Sequence, residues 1–281
     1  MKREIKRAYQ QLMDVNRQTT AKKLDFIFWD KDLEQLTSAI NHQIDLTAQA
    51  VAIKRRKEAE LKQAIANISH DIRTPLTSIL GYIQFLERED LSTDTKQQYT
   101  MIIKRGAGRL KDLLEDFFEL SLIESPDYLL QPEKIKINHL ILETLADFYE
   151  QFKQSHLEPT IHIPTEDITV IADSSAMKRV VENLVLNTIK HAKADIVIRL
   201  EQQPKLVRLI ISNQVEAFFE EDMHSLFQRF YKVDKTRTGQ QGAGLGLAIA
   251  KSLMTKMDGQ LYAQLTANHL SIVCEWPIQK E

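Results

Sequence analysis

The chain has 281 residues, with 37 Lys+Arg against 39 Asp+Glu and a formal net charge of −2. That length holds about two domains, and nothing in so even a charge balance demands a nucleic-acid partner. The single cysteine, Cys274, excludes an intramolecular disulfide and a cysteine-rich metal site, and it fits a reducing compartment.

Residues 1–60 read as helix, loop and helix with weak apolar periodicity. Lys2, Arg3, Lys6 and Arg7 form a basic cluster on a helical stretch. Such a cluster is either a solvated face or the cytoplasmic flank of a membrane span outside this chain. No apolar run approaches the roughly 20 residues that cross a bilayer, and no signal peptide is visible. The expectation is a soluble, cytoplasmic chain at the inner face of the cell membrane, associated with it through a segment outside the chain. Lys54-Arg55-Arg56-Lys57, followed by Glu58 and Glu60, reads as an exposed helical face.

From Leu61 the pattern sharpens. Leu61, Ile65, Ile68, Ile72, Leu76, Ile79, Ile83 and Leu86 advance in steps of four and three, a seam of coiled-coil type. One extra four-step falls between Ile72 and Leu76, and such an insertion locally unwinds a left-handed coil. Pro75 lies in the same interval and removes a helix hydrogen bond. The helix is therefore expected to be weakest just after His70. His70 lies between the seam residues Ile68 and Ile72, which turns it away from the seam and toward solvent. Thr74 shares its face, Arg73 is three residues on, and Asp71 is adjacent. An imidazole is substantially neutral near pH 7, so it can act as a nucleophile. A carboxylate that takes one ring N–H leaves the lone pair of the other nitrogen free and stabilises the cation that forms.

A second helix is predicted over Ser92–Glu124. Tyr99, Ile103, Gly106, Leu110, Leu113, Phe117 and Leu120 form a clean heptad. Ser92 or Asp94 caps its start and Pro126 stops it. The short connection Arg88–Leu91 makes an antiparallel hairpin. One hairpin cannot bury two apolar seams, so two copies are expected to form a four-helix bundle as a homodimer.

After Pro126 the runs Glu133–Ile137, Thr160–Ile163, Ile168–Ala172, Asp195–Gln202, Lys205–Ser212, Gln260–Leu265 and Leu270–Trp276 read as strands. Asn138–Gln154, Ser174–His191 and Gly244–Met257 read as helices. The mixture predicts an α/β sandwich with helices on one face of a mixed sheet. Cys274, in an apolar run, is expected in its core.

Two constellations in this half carry chemistry. Asn183 and Asn187 are four residues apart on one helix face, with Lys190 and His191 beyond. Carboxamide oxygens suit Mg²⁺, and a lysine meets phosphate as a point charge. Core or surface packing of these asparagines is the plain alternative. The run Gly239-Gln240-Gln241-Gly242-Ala243-Gly244-Leu245-Gly246-Leu247 lets backbone approach phosphates and opens a helix whose N–H groups favour an anion.

Asn67-Ile68-Ser69-His70-Asp71-Ile72-Arg73-Thr74-Pro75-Leu76 closely resembles the phospho-acceptor box of HisKA-type sensor histidine kinases. The string ENLVLNTIKHA resembles the N box of the same family's ATP-binding domain, which it shares with type II topoisomerases and a heat-shock chaperone. LFQRFYKVDKTR followed by GAGLGLAIAK is similar to its F box and last glycine box. The resemblance runs from about Leu61 to the end of the chain. It implies an α+β fold, a dimerising hairpin over 61–126 and a catalytic ATP-binding domain over 127–281, fed by a helical linker over 1–60. Within that linker Asp30–Asp45 resembles the second helix of HAMP signalling modules, with a plain helix feeding the coil as the alternative.

The resemblance also implies roles. His70 would accept the γ-phosphoryl of Mg·ATP with Asp71 as its orienting base and Arg73 beside it, then pass it to an aspartate of a response regulator. Thr74 matches the threonine that assists dephosphorylation of the regulator in related kinases. Asn187 would be the main Mg²⁺ ligand, with Asn183, Lys190 and His191 facing the phosphates. Phe227, Phe230 and Tyr231 would anchor a mobile lid, with Arg229, Lys232 and Arg237 as phosphate contacts beside Gly242, Gly244, Leu245 and Gly246.

One box departs from the pattern. The family's Asp-x-Gly-x-Gly falls on Asn213-Gln214-Val215-Glu216-Ala217, where the aspartate is Asn213 and both glycines are gone. In the family that aspartate accepts a hydrogen bond from the adenine amino group. Asn213 keeps a carbonyl oxygen but not the charge, so weaker ATP binding or looser base selection is expected. A rival reading follows, in which the chain is a phosphatase-biased scaffold that binds nucleotide poorly. A second rival, a chaperone-like ATPase clamp, is opposed by the His70 box.

Overall fold

The structure is a computed structural model. It describes residues 31–88, 90–215, 225–231 and 244–278, with Lys6, Tyr9–Gln11, Met13 and Met223 as isolated positions and without the side chains of Leu33, Lys57 and Glu60. The chain forms two compact units, Met1–Ala66 and Asn67–Glu281. No described helix is long and apolar enough to cross a membrane.

Helix α1 runs over Lys31–Leu86 and α2 over Thr93–Glu124. Ser92 caps α2, its hydroxyl accepting the Thr95 N–H at 3.2 Å. Pro75 sits inside α1, which stays helical through it to Leu86. The expected weakness is thus limited to one missing hydrogen bond, because neighbouring residues keep the axis in place. Tyr82 stacks near Tyr99 with ring centroids 5.1 Å apart, and Gly106 lies against Ile79. One partner number rises as the other falls, so the hairpin is antiparallel. Gly106 is required there, since an added Cβ would lie 2.9 Å from the Ile79 side chain. The heptad residues Leu113 and Leu120 are buried. Leu76, Leu80, Ile83, Phe118 and Leu122 stay exposed, Phe118 by 64% and Leu122 by 62%.

The second half is layered. Strands β1 (Glu133–Lys136) and β3 (Thr169–Ala172) pair antiparallel as a small ribbon. A five-stranded sheet has the order β2-β4-β5-β7-β6, from β2 (Thr160–His162), β4 (Val197–Gln202), β5 (Leu206–Gln214), β6 (Gln260–Thr266) and β7 (His269–Pro277). Only β2 and β4 run parallel, and the other pairs are antiparallel. Burial alternates along β5, so Val207, Leu209, Ile211 and Asn213 face inward. Against them pack α3 (Ile137–Asp147), α5 (Ser174–His191) and α6 (Gly246–Lys256), through Ile141, Val180, Leu184, Ile249 and Met254. This is the sandwich expected from the sequence.

Several boundaries differ from the expected ones, and three have identifiable causes. The helix predicted over Asn138–Gln154 divides into α3 and α4 (Tyr149–Gln154), because buried Phe148 turns its N–H to the Leu145 carbonyl at 3.1 Å. β4 begins at Val197, since Asp195 takes φ +52, a turn conformation. β5 runs two residues past Ser212, so Asn213 lies in the strand opposite Leu270. Cys274 is fully buried and burial pushes its thiol pKa up, which makes it an inert core residue.

Candidate active site

The acceptor end rises from α1. The His70 side chain is 76% exposed, as its phase between Ile68 and Ile72 requires. Its Nδ1 lies 3.4 Å from Asp71 Oδ1, which leaves Nε2 as the nitrogen turned away from that carboxylate. Thr74 Oγ1 donates to the His70 backbone carbonyl at 3.1 Å, so the hydroxyl stands one turn above the imidazole. Arg73 is exposed beside them.

The nucleotide end is built where α5 meets the start of α6. Asp173 caps α5 by accepting the Ala176 N–H at 2.9 Å, which fixes the phase of the helix. Asn183 is 5% exposed, and its Nδ2 donates to the Arg179 carbonyl at 2.9 Å. That bond fixes the carboxamide, and its Oδ1 is turned to Gly246. A Cβ on Gly246 would lie 2.8 Å from that oxygen, so only glycine lets the first turn of α6 sit there. Leu245, fully buried, precedes this turn and gives it no side-chain cap. The first N–H groups of α6 therefore remain available to an anion. Asn187 is half-buried one turn beyond Asn183, and Lys190 and His191 close the helix, both exposed. Desolvation by crowding neighbours first, and the Lys190 ammonium second, push the His191 pKa down, so the ring is neutral near pH 7.

Backbone joins the described residues that flank 232–243. Phe230 N–H donates to the Gly244 carbonyl at 2.9 Å. Gly244 has φ +70, and a Cβ on it would lie 2.8 Å from the Tyr231 carbonyl oxygen. Phe230 is buried with φ +61. Lys251 Nζ stands 5.9 Å from the Phe227 ring centre and donates to the Leu261 carbonyl at 2.6 Å. Phe230 and Leu245, on either side of residues 232–243, are both buried. Lys232, Arg237, Gly242 and the residues Glu216 and Ala217 lie outside the described residues.

Asn213 is 4% exposed at the inner face of β5. Its Nδ2 donates to the Gln214 carbonyl at 3.2 Å. The reversed carboxamide would set two oxygens against each other, so Oδ1 is left as the acceptor.

Arg229 is placed differently from its predicted contact. Its Nη2 donates to both oxygens of Glu124, at 2.5 Å each, at the end of α2. Arg179 Nη2 likewise reaches Glu119 Oε2 at 2.5 Å and Asp116 Oδ1 at 3.3 Å. Desolvation opposes the Arg179 charge, but the Glu119 hydrogen bond and the charges of Glu119, Asp116 and Glu182 outweigh it and raise its pKa. Burial raises the Asp116 pKa, against the opposing pull of Arg179. The sequence reading did not single out Asp116, Glu119, Glu124 or Arg179. The one available signal was an acidic row, Asp112, Asp116 and Glu119, at helical spacing beside the α2 heptad.

Residues 60–126 match the family described as His Kinase A (phospho-acceptor) domain. Residues 172–279 match Histidine kinase-, DNA gyrase B-, and HSP90-like ATPase. The sensor protein VanS of Enterococcus faecium is 31% identical over 80% of this chain and 60% of its own length. The sensor histidine kinase YcbM of Bacillus subtilis is 27% identical over 84% of this chain and 77% of its own. The chain thus spans less than two thirds of VanS. In three dimensions it is similar to the histidine kinase ThkA, solved in complex with the response regulator protein TrrA. The TM-score is 0.67 at 24% identity, over 83% of this chain and 66% of ThkA. An exposed histidine on a hairpin, a sandwich fold, and both domain matches in that order agree: the chain belongs to the HisKA-type sensor histidine kinases.

Proposed function

We propose that this chain autophosphorylates on His70 at the expense of Mg·ATP and passes the phosphoryl group to an aspartate of a response regulator. The observation that carries the reading is the exposed His70 imidazole with Nδ1 turned to Asp71. The Nε2 lone pair attacks the γ-phosphorus and the bond to the β,γ-bridging oxygen breaks, that oxygen leaving with the electron pair as ADP. The Nδ1 proton stays on the ring, and the Asp71 carboxylate stabilises the cation. Residues 61–126 serve as the dimerisation and phosphotransfer domain, 127–281 as the catalytic domain and 1–60 as the linker. The exposed Leu76, Leu80, Ile83, Phe118 and Leu122 support a homodimer, since an apolar stripe of this extent calls for a second copy.

At the other end Lys190, the first turn of α6 and the lid residues Arg229, Tyr231, Lys232 and Arg237 would meet the phosphates. The donor set fits a hard cation, for Asn187 and Asn183 present carboxamide oxygens in successive turns. Asn183 oxygen is turned to Gly246, which leaves Asn187 the better placed ligand. A bound Mg²⁺ would neutralise charge on the phosphate oxygens. Neutral His191 beside Lys190 would add a hydrogen bond without repelling that ammonium.

Asn213 Oδ1 would accept from the adenine amino group. Replacing it with alanine is expected to weaken ATP binding by about fivefold, the value of one neutral hydrogen bond, with GTP binding unchanged. Equal ATP affinity in the two proteins, measured by titration, contradicts this role. The neutral acceptor also favours the second reading, a phosphatase-biased scaffold. A wild-type chain that binds no ATP but still dephosphorylates the regulator would establish it.

Thr74, one turn above His70, would position water for dephosphorylation of the regulator. Thr74→Ala is expected to slow that step by about ten- to hundredfold while autophosphorylation persists. Equal phosphatase rates would remove Thr74 from the mechanism.

A further inference from the structure

Three cationic side chains of the sandwich half are held by the far end of α2. Arg229 donates to Glu124 through both carboxylate oxygens. Arg179 donates from Nε and Nη2 to Glu119 and from Nη2 to Asp116. Lys256 Nζ donates to the carbonyls of Ser125 and Tyr128, at 3.2 and 3.3 Å, and stands 5.4 Å from the Tyr128 ring centre. Lys190 adds its field at Asp116. Asp116 and Glu119 share one face of α2 and Glu124 ends the helix, so α2 presents three carboxylates to cations of the sandwich half.

One of the cations held by these carboxylates has another claimant. Arg229 is among the side chains to which the proposed function assigns the nucleotide phosphates. A carboxylate and a phosphate present similar anionic oxygens to a guanidinium, and both take it in a two-pronged geometry. Arg229 Nη2 is engaged by both Glu124 oxygens, so that nitrogen is not open to a phosphate in the same arrangement. Arg179, by contrast, lies four residues before Asn183 on α5 and grips Glu119 without being a phosphate candidate.

We propose that the acidic residues Asp116, Glu119 and Glu124 on α2 are an intramolecular competitor of the nucleotide phosphates, which park the ATP-binding half against α2 by occupying Arg229. Arg179 and Lys256 are the fixed part of the latch and Arg229 is its exchangeable part. By linkage, whatever favours the latch weakens nucleotide binding, and nucleotide binding loosens the latch to the same degree. The inference rests on the kinase reading above, because only that reading puts phosphate at Arg229.

The test is a set of isosteric variants of the full chain, titrated with ATP and Mg²⁺. Glu124→Gln keeps the shape and removes the charge, and Glu119→Gln cuts the fixed part of the latch. Glu115→Gln is the control, for Glu115 lies on α2 but pairs with Lys111 of the same helix. Glu124→Gln and Glu119→Gln are each expected to tighten ATP binding by about three- to fivefold, the scale of a partly exposed ion pair. The control should match wild type. Thermal melting of each variant secures that all are folded. If wild type binds ATP and all four proteins bind it equally, the competition is overturned while the kinase reading stands. If folded wild type binds no ATP, the kinase reading falls and takes this inference with it.

Discussion

His70→Gln is expected to abolish phosphorylation of the chain completely while leaving ATP binding and folding unchanged. The side chain is 76% exposed, and its ring contact is the 3.4 Å approach to Asp71, so little native packing is lost. Glutamine is also a good helix former, and surface changes of this kind stay within about 0.5 kcal/mol. Glutamine has no ring nitrogen with a free lone pair, so no phosphoramidate bond can form. The measurement is label transfer from γ-labelled ATP alongside an ATP titration of the same preparation. Residual label on the variant at more than a trace level would move the acceptor elsewhere. Loss of ATP binding together with label would mean that His70 supports the nucleotide end rather than the chemistry.

Gly244→Ala is the second large effect. Alanine at φ +70 is strained by about 1–2 kcal/mol, before any contact is counted. Its Cβ would then stand 2.8 Å from the Tyr231 carbonyl oxygen and 3.1 Å from the Phe230 backbone, atoms that no side-chain rotation can clear. The clash falls where Phe230 N–H donates to the Gly244 carbonyl, so its relief would break that bond. ATP affinity should fall by at least about tenfold, the equivalent of 1.4 kcal/mol, and autophosphorylation with it. Gly108→Ala supplies the contrast. Gly108 lies in α2 with nothing within 4 Å of an added Cβ, and alanine there stabilises the helix by about 0.5–1 kcal/mol. A Gly244→Ala protein with wild-type ATP affinity would show that this bond is not needed for binding.

How much of this could be read beforehand depended on how local each feature is. Helix α5 runs over Ser174–His191 as predicted, because Asp173 caps it and its apolar face is continuous. The exposure of His70 followed from its phase against Ile68 and Ile72, a matter of counting. Strand β5 outran its predicted end because pairing with β7 carries Asn213 and Gln214 along, and pairing is not local information. Phe148 divides α3 from α4 because its ring is drawn into the core, another tertiary effect. The Arg179–Glu119 and Arg229–Glu124 pairs join residues far apart in sequence, and nothing in a linear pattern brings them together. Gly244 was legible as a glycine that a nucleotide site would want. That its hydrogen atom faces the Tyr231 carbonyl required the fold.

The central claim is that a chain with Asn213 in place of the usual aspartate is still a working histidine kinase. The most direct measurement incubates the purified wild-type chain with γ-labelled ATP and Mg²⁺, then divides the labelled protein between acid and alkali. The account predicts label that is lost in acid and survives alkali, as a phosphoramidate on His70 does, and no label on His70→Gln. No label on a folded wild-type dimer would contradict it, and would point to the box at Asn213–Ala217 as the reason.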